Sequence, residues 1–498
     1  MTYSLKESPL RDTDYAPEAQ RYASPAGLFG ILVGAQMCFN LVVLGWLPIR
    51  FGLGLPGALS AIAAGLLVGC LAAGPFALLG THTGANSTVS SGAHFGLRGR
   101  WIGTAITFFT ALGFFALVIW TGGDAITGVI VRVFHLRDTG MFRTVGYVLT
   151  CSGATFIAIF GHDKVAATQK FVAVGIGLLF VVGFAALAPR FHVDYRGGNY
   201  ILGSFWPTWL MSAATALAVP VSYTPFLNDY SRYISSKRYS RFAVSLASGG
   251  GLFVGCMAVM SFGVFEGSIF NVQSGPVRGL VEGCPTWYLV PVLIIGVIGP
   301  LSHGSLCLYA PGLDIASLFP ALSRRVVTLA LGALGLIVVL LGAFVWNAVD
   351  AFVAFVTLFT VATTPWLMII LLGHFHRRGW YSSRDLQLSK RNASDSRYWF
   401  SGGWNLRALA AWVPAVVVGL LLSRTSLFTG AWYAVAGGID ISVPIAAVTG
   451  GAIYAFLLVL VPERSTLHGY QNEIPGGPHV LDARFSTLSG EENPLAEN

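Results

Sequence analysis

Residues 211–233 read MSAATALAVPVSYTPFLNDYSRY. The stretch is apolar and long enough to enter a bilayer. Pro220 and Pro225 interrupt it, Ser222, Tyr223 and Thr224 lie between them, and it runs into Asn228, Asp229, Tyr230, Ser231 and Arg232. A proline removes one backbone donor and crowds the carbonyl four residues back. In lipid, the backbone groups so freed must be satisfied by protein, water or a ligand. Two readings follow: a broken helix that forms a binding site, or a proline-kinked span with no ligand.

The sequence around this stretch points to a membrane. Of 498 residues, 54% are hydrophobic and 10% are charged, against about 25% charged in soluble domains. Sixty glycines and 34 phenylalanines suit tightly packed membrane helices. The net charge of +8 raises nucleic acid as a partner, but the basic residues cluster in short loops, as membrane topology requires. The lipid bilayer is therefore the expected partner, with no nucleic acid and no obligatory protein partner. Cys38, Cys70, Cys151, Cys256 and Cys307 sit in apolar runs and Cys284 in a loop, so no disulfide framework or metal spacing follows. Residues 1–25 are polar, and the first apolar run is too long for a signal-peptide core.

Apolar runs fall at about 27–49, 57–79, 101–131, 144–161, 168–189, 204–227, 242–265, 287–309, 326–347, 351–373, 405–423 and 442–461. Each is near or above the ~20 residues a helical span needs, which predicts an all-α integral membrane protein of twelve spans. The third run is long enough to tilt or to leave the bilayer. With both termini inside, most of the 30 Lys and Arg fall on inner segments. This predicts a multi-pass protein of the cell membrane with cytoplasmic ends. Arg132, Arg137 and Arg143 in one outer loop weaken the bias without reversing it. The expected division is an N-terminal tail over 1–25, a transmembrane domain over 26–461 and a polar, mobile C-terminal tail over 462–498.

A weak internal symmetry accompanies these spans. Span 1 is interrupted by Asn40 and by Gly45-Trp46-Leu47-Pro48, span 6 by its two prolines, and they lie five spans apart. Matching Gly/Pro-interrupted spans in two halves are the sequence pointer to an inverted-repeat transporter with its site at the breaks.

Polar groups inside spans are costly and are functional candidates. Gln36 and Asn40, four apart, share one face of span 1; they read a ligand or make an interhelical hydrogen bond. Phe114 and Phe115 follow Gly113, and the pair either packs or offers a flat face to a planar ligand. Gly299-Pro300-Leu301-Ser302-His303-Gly304-Ser305 is the most polar stretch within a span. His303 either accepts a proton near neutral pH or only satisfies a neighbouring carbonyl. Asp229 and Arg232 read as a local ion pair anchoring a helix end. His374, His376, Arg377 and Arg378 read as an interfacial anchor, and Trp346, Asn347 and Asp350 as markers of the opposite interface.

Enzyme signatures are missing from the sequence: there is no Walker loop, HExxH, GxSxG or paired intramembrane aspartates. The glycine-rich SGGGLF at 248–253 lies in span 7 and reads as helix packing. An intramembrane enzyme using His303 with Ser302 or Ser305 lacks a third orienting group.

Several stretches carry a family likeness. VSYTPFLNDYSRY at 221–233 is the most specific; MCFN with FGLGLPGALSAIAAG, GTHTGANSTVSSGAHFGLRG at 80–99, LYAPGL at 308–313 and WFSGGWNLRALAAWV at 399–413 add to it. From about residue 30 to 460 the chain resembles the nucleobase:cation symporter family, in its purine/cytosine permease branch. The resemblance implies a LeuT-type five-plus-five inverted repeat, at about 27–189 and 204–373, plus two C-terminal helices at about 405–461. It implies symport of a nucleobase, such as cytosine or a purine, or of a related planar heterocycle, with H+ or Na+ as the coupling cation and no cofactor. By the same resemblance Phe114 stacks on the ring, Ser222 and Tyr223 offer hydrogen bonds, and Gly299 stands where a base-reading asparagine is common. Ser302 and His303 stand where hydroxyls help hold a sodium ion.

Three positions depart from the pattern: His94 replaces an arginine, Gly299 an amide, and Gly373-His374 an acidic residue. A histidine at a sodium ligand position disfavours a hard cation, which wants oxygen ligands. The expected substrate site therefore comprises Gln36, Asn40, Phe114, Phe115, Ser222, Tyr223, Gly299 and Ser302. Coupling is expected at Ser302 and His303, as a proton or as Na+ at Ser302. A hydantoin, allantoin or ring-containing vitamin is the alternative substrate. A ligand-sensing membrane protein is the alternative outside transport.

Overall fold

A computed structural model describes residues 15–159, 162–270, 275–319, 321–387, 393–437 and 439–468. Every regular element among them is a helix, and extended pairing is limited to isolated bridges such as Ala23 with Ile234. Ten helices are long and apolar enough to cross a membrane. An eleventh span is a bent pair, Pro25–Ala35 with Phe39–Arg50, and the 17-residue apolar helix Leu406–Leu422 takes the remaining place in a series of twelve. The third span, Arg100–Phe134, runs for 35 residues.

Spans 1, 2, 6 and 7 pack together: the bent pair, Leu55–Thr83, Phe205–Ser231 and Arg241–Gly267. Spans 3, 4, 8 and 9 form a second group: Arg100–Phe134, Gly140–Ile159, Thr286–Ala316 and Arg324–Phe344. Spans 11 and 12, Leu406–Leu422 and Ser442–Leu460, pack on each other and on span 10, Ala348–His376. With no hydrophobic drive between helices in lipid, close backbone approach supplies the packing. A Cβ on Gly45 would lie 2.0 Å from the Met260 carbonyl oxygen, and one on Gly65 would lie 2.0 Å from that of Ala213. Spans 1 and 7, and spans 2 and 6, can approach this closely only because those residues carry no side chain.

The two interrupted spans behave differently. Span 1 breaks at Gln36–Cys38, and its halves diverge by 66°. Span 6 is a continuous helix through both prolines, contrary to the broken helix that its sequence admits. The cause is local. Pro225 has no N–H for the Val221 carbonyl, but the Thr224 hydroxyl donates to that carbonyl at 2.7 Å. The Pro220 ring meets span 2 where Gly69 leaves room for it. Span 8 also departs from a regular helix, in a single π turn over Pro300–Gly304. Such turns widen the backbone and are frequent at functional positions.

Both tails begin docked on the helix ends. Ala16 donates its N–H to the Gly84 carbonyl and Ala23 to that of Tyr233, each at 2.9 Å. Glu463, at the start of the expected C-terminal tail, is buried against Arg377. Residues 469–498 lie outside the described residues.

Candidate functional site

The break in span 1 is held open from span 8. Ala35 is the last residue of the first half-helix, and His303 in the π turn bonds to its carbonyl oxygen through Nδ1. A carbonyl only accepts, so Nδ1 carries the proton and Nε2 remains to gain or lose one. Gly299, one turn earlier, abuts the break itself: a Cβ there would lie 2.9 Å from Cys38 Sγ. The predicted amide position is thus occupied by close contact between spans 1 and 8.

Tyr223 of span 6 meets His303 edge-on, with ring centroids 6.3 Å apart and planes at 89°. Its phenol faces Gln36. Gln36 and Asn40 are fully buried, and among the described residues neither side-chain amide makes a hydrogen bond of normal geometry. Such groups usually cost stability when unmet, so four orphan amide atoms at a helix break mark a place built for something other than packing. Ser222 and Ser302 are both buried, one beside Tyr223 and one in the π turn.

The aromatic pair divides. Phe114 lies edge-on to Phe352 of span 10 at 5.7 Å. Phe115 points elsewhere: its ring fills the space over Gly304 of span 8 and Gly335 of span 9. The structure therefore gathers Gln36, Asn40, Tyr223, Gly299 and His303 around one break, sets Phe114 against span 10, and places Phe115 in packing between spans 3, 8 and 9.

Two cavities, about 210 and 270 Å³, open at the end of the bundle away from the arginine-rich loops. They share Asp124 and Arg278, whose charges lie 3.5 Å apart. Asp124 also accepts from the Tyr147 hydroxyl at 2.7 Å. Arg278 reaches Asp138 as well, at 3.5 Å. A hydrogen bond from Arg143 holds the Asp138 carboxyl below its usual range, against the smaller opposing effect of burial. At the same end Arg50 of span 1 pairs with Asp350 of span 10 at 3.1 Å.

The arginine-rich end differs from expectation. Arg377 is not an exposed interfacial anchor: it is buried and grips Glu463 with two bonds of 2.7 and 2.6 Å. Burial pushes the Glu463 carboxyl up, but the bonds and charge of Arg377, with Arg407, outweigh it and leave it below the usual carboxylate range. Asp229 does not simply anchor the end of span 6: it is buried and accepts from the Ser87 N–H. Sequence reasoning passed over Asp124, Glu266 and Asp314, each a buried acid within an apolar span. A single acid barely lowers the hydropathy of a long window, and a scan for two acids on one helix does not find Asp229 and Asp314. They come from different spans.

Over residues 15–450 the chain matches the family described as permease for cytosine/purines, uracil, thiamine, allantoin. A putative purine-cytosine permease, YxlA, of Bacillus subtilis (strain 168) is 25% identical over 481 residues, covering 93% of this chain and 98% of that protein. In fold the chain is similar to Mhp1, a nucleobase-cation-symport-1 family transporter in a closed conformation with bromovinylhydantoin bound. The TM-score is 0.68 at 15% identity, over 93% of this chain and 98% of that one. It is also similar to a Na+-coupled sialic acid symporter, with a TM-score of 0.60 at 11% identity, over 90% and 93% of the two chains. These likenesses fit the two helix groups and the broken first span described above. The chain is a multi-pass membrane protein and not an enzyme: it belongs to the permease family for cytosine/purines, uracil, thiamine and allantoin.

Proposed function

We propose that the chain is a cation-coupled symporter that takes up a nucleobase, such as cytosine or a purine, or a related planar heterocycle, by alternating access. The observation that carries this reading is the break in span 1, where Gln36 and Asn40 keep four buried amide atoms unpaired beside Tyr223 and His303. Those amides and the Tyr223 phenol suit the donor and acceptor edge of a heterocycle, with Ser222, Gly299 and Ser302 around it. Phe114 presents an aromatic face from span 3. The second half-helix starts at Phe39, and the partially positive N-terminal end of its dipole favours an electron-rich edge. The group of spans 1, 2, 6 and 7 rocks against spans 3, 4, 8 and 9, and each group takes two spans from each of two inverted repeats at about 27–189 and 204–373. The arginine-rich end faces the cytoplasm of a cell whose plasma membrane holds the protein.

The coupling cation in this reading is a proton on His303, with Na+ at Ser302 as the competing assignment. Nδ1 is committed to Ala35, at the C-terminal and partially negative end of a helix. The partial negative charge of that helix end lowers the cost of a buried imidazolium formed at Nε2. The cation drives transport only by favouring one state over the other.

A thermal-shift panel of purines, pyrimidines, hydantoins and pyridine or thiamine vitamins on detergent-purified protein identifies the substrate. The hit is expected to vanish in Phe114→Ala. Uptake into proteoliposomes should then follow an imposed pH gradient and fail in His303→Ala. Uptake that required sodium and ignored the pH gradient would assign coupling to Na+. A ligand that bound without uptake would make the protein a sensor.

A further inference from the structure

Glu266 is a buried acid that the cycle above does not use. It lies in the last turn of span 7, at the end away from the arginine-rich loops, and is 1% exposed. Its Oε2 is buried and has no hydrogen-bond partner among the described residues. Aromatic rings line its surroundings. Phe262, one turn earlier, packs against Phe180 and Phe184 of span 5, each at 5.2 Å. Gly267 lies under Trp46 of span 1, where a Cβ would come within 2.8 Å of the indole. Phe270 fills the space over Gly283, the last residue of the loop helix Pro276–Gly283.

Two polar groups at the start of span 8, the Cys284 thiol and the Tyr288 phenol, lie within range of the Glu266 charge. Both are committed elsewhere. The phenol donates to the Leu179 carbonyl at 3.0 Å, and the thiol to that of Val281 at 4.0 Å. The charged groups on the surrounding elements have other partners too. Arg190, at the end of span 5, bonds the Gly283 carbonyl, and Arg132 of span 3 bonds the Val281 carbonyl and Cys284. On the loop helix, Arg278 pairs with Asp124 and Asp138, and Glu282 is exposed. Arg50 of span 1 pairs with Asp350. The remaining charged residues of span 5, His162, Asp163, Lys164 and Lys170, belong to its opposite end. Lys170 is about 30 Å of helix away from Arg190. Residues 271–274, Asn-Val-Gln-Ser, carry no charge. A carboxylate among rings with no cation of its own is far costlier than a neutral carboxyl. A hard metal ion would need a shell of oxygens, whereas the side chains gathered here offer rings, a thiol and a committed phenol.

We infer that Glu266 is a proton-binding site, separate from His303, that fills before this end of the bundle closes. One proton from the solution on that side bonds to Oε2 and converts the carboxylate to a carboxyl. No other bond is made or broken. Span 7 belongs to one helix group and span 8 to the other, so Glu266 parts from Cys284 and Tyr288 when the groups separate at this end. Water then reaches the carboxyl and it ionises; closing again takes the proton back. Acid on that side therefore favours the closed end. That consequence rests on the alternating-access reading; the site itself does not.

The test uses full-length protein in detergent, without substrate or sodium. Infrared difference spectroscopy at neutral pH should show a protonated-carboxyl stretch in the wild type that Glu266→Gln loses. A carboxyl region unchanged in the variant overturns the proposal. Sodium chloride added to the wild type should leave the band in place; its loss would give the site to a metal ion and overturn the proton assignment. Cys284 supplies the conformational readout. Alkaline buffer should speed its modification by a maleimide, read by peptide mass spectrometry, more in the wild type than in Glu266→Gln. The thiol chemistry is common to both proteins, so equal acceleration overturns the link to closure. Should the Gln variant not fold, Glu266→Asp keeps the carboxyl and is expected to shift the band, whereas an unmoved band overturns the proposal. No arm uses a substrate, so this failure is distinct from failure of the uptake reading.

Discussion

The Arg377–Glu463 junction and the break in span 1 are equally buried and oppositely satisfied. At the first, Arg377 bonds both Glu463 oxygens and also donates to the Ala93 carbonyl, while Arg407 adds a bond of 3.2 Å to Glu463. At the second, the side-chain amides of Gln36 and Asn40 make no hydrogen bond of normal geometry among the described residues. A polar group retained in an apolar interior has a use, and pairing shows which use. The paired junction fastens the start of the C-terminal tail and the loop helix to span 10. The unpaired one waits for a partner that arrives and leaves.

The contrast breaks most visibly at the paired end. Arg377→Ala would strip the buried Glu463 of its two-bond partner and leave it only the Arg407 bond of 3.2 Å, which should cost about 3 kcal/mol of stability in detergent unfolding. A loss below about 1 kcal/mol would show that the pair fastens nothing. The same junction sets a pH dependence. The Glu463 carboxyl titrates below its ordinary value when folded, so its contribution is fully present above the ordinary carboxylate range. It is lost as pH falls through the lower, folded value, and Glu463→Gln should flatten that limb of the melting-temperature profile.

His303→Ala comes next. It strips the Ala35 carbonyl of its donor, an expected cost of about 1–3 kcal/mol. Pro225 gives a smaller and sharper test of how helices tolerate interruption. Thr224→Val should cost about 1 kcal/mol while Pro225 is present and close to nothing in Pro225→Ala, where Val221 regains a helical donor. Equal costs in both backgrounds would remove the explanation for the continuous span 6. The smallest effect is expected at the unpaired end. Gln36→Met and Asn40→Leu keep shape and delete only orphan polarity, so ligand-free stability should hold or rise by up to about 1 kcal/mol. The thermal shift given by the substrate should disappear in both. A large loss of ligand-free stability would return these amides to structural duty.

Much of this architecture was legible from composition and run length. A bilayer fixes how long a helix must be, so apolar runs locate spans without knowledge of their neighbours. The site was legible in part. Gln36, Asn40, Tyr223 and His303 stood out as polar groups at depth, and they meet at one break. Phe115 looked equivalent to Phe114, yet consecutive residues on a helix point about 100° apart, and the neighbours on spans 8 and 9 claim it for packing. Pro220 and Pro225 looked like a break, but the hydroxyl that repairs the gap at Pro225 sits one residue away.

The sequence by itself determined that this chain crosses a membrane many times, and it singled out the polar groups that the apolar spans have to accommodate. It did so because lipid imposes the same demand on every segment, whatever its neighbours. Only the tertiary structure decided which of those groups are answered. His303 reaches Ala35, Arg377 reaches Glu463, and Asn86 reaches Asp314 across segments far apart in the chain. Whether a buried polar atom is paired is a property of two positions in space, and no single stretch of sequence contains both.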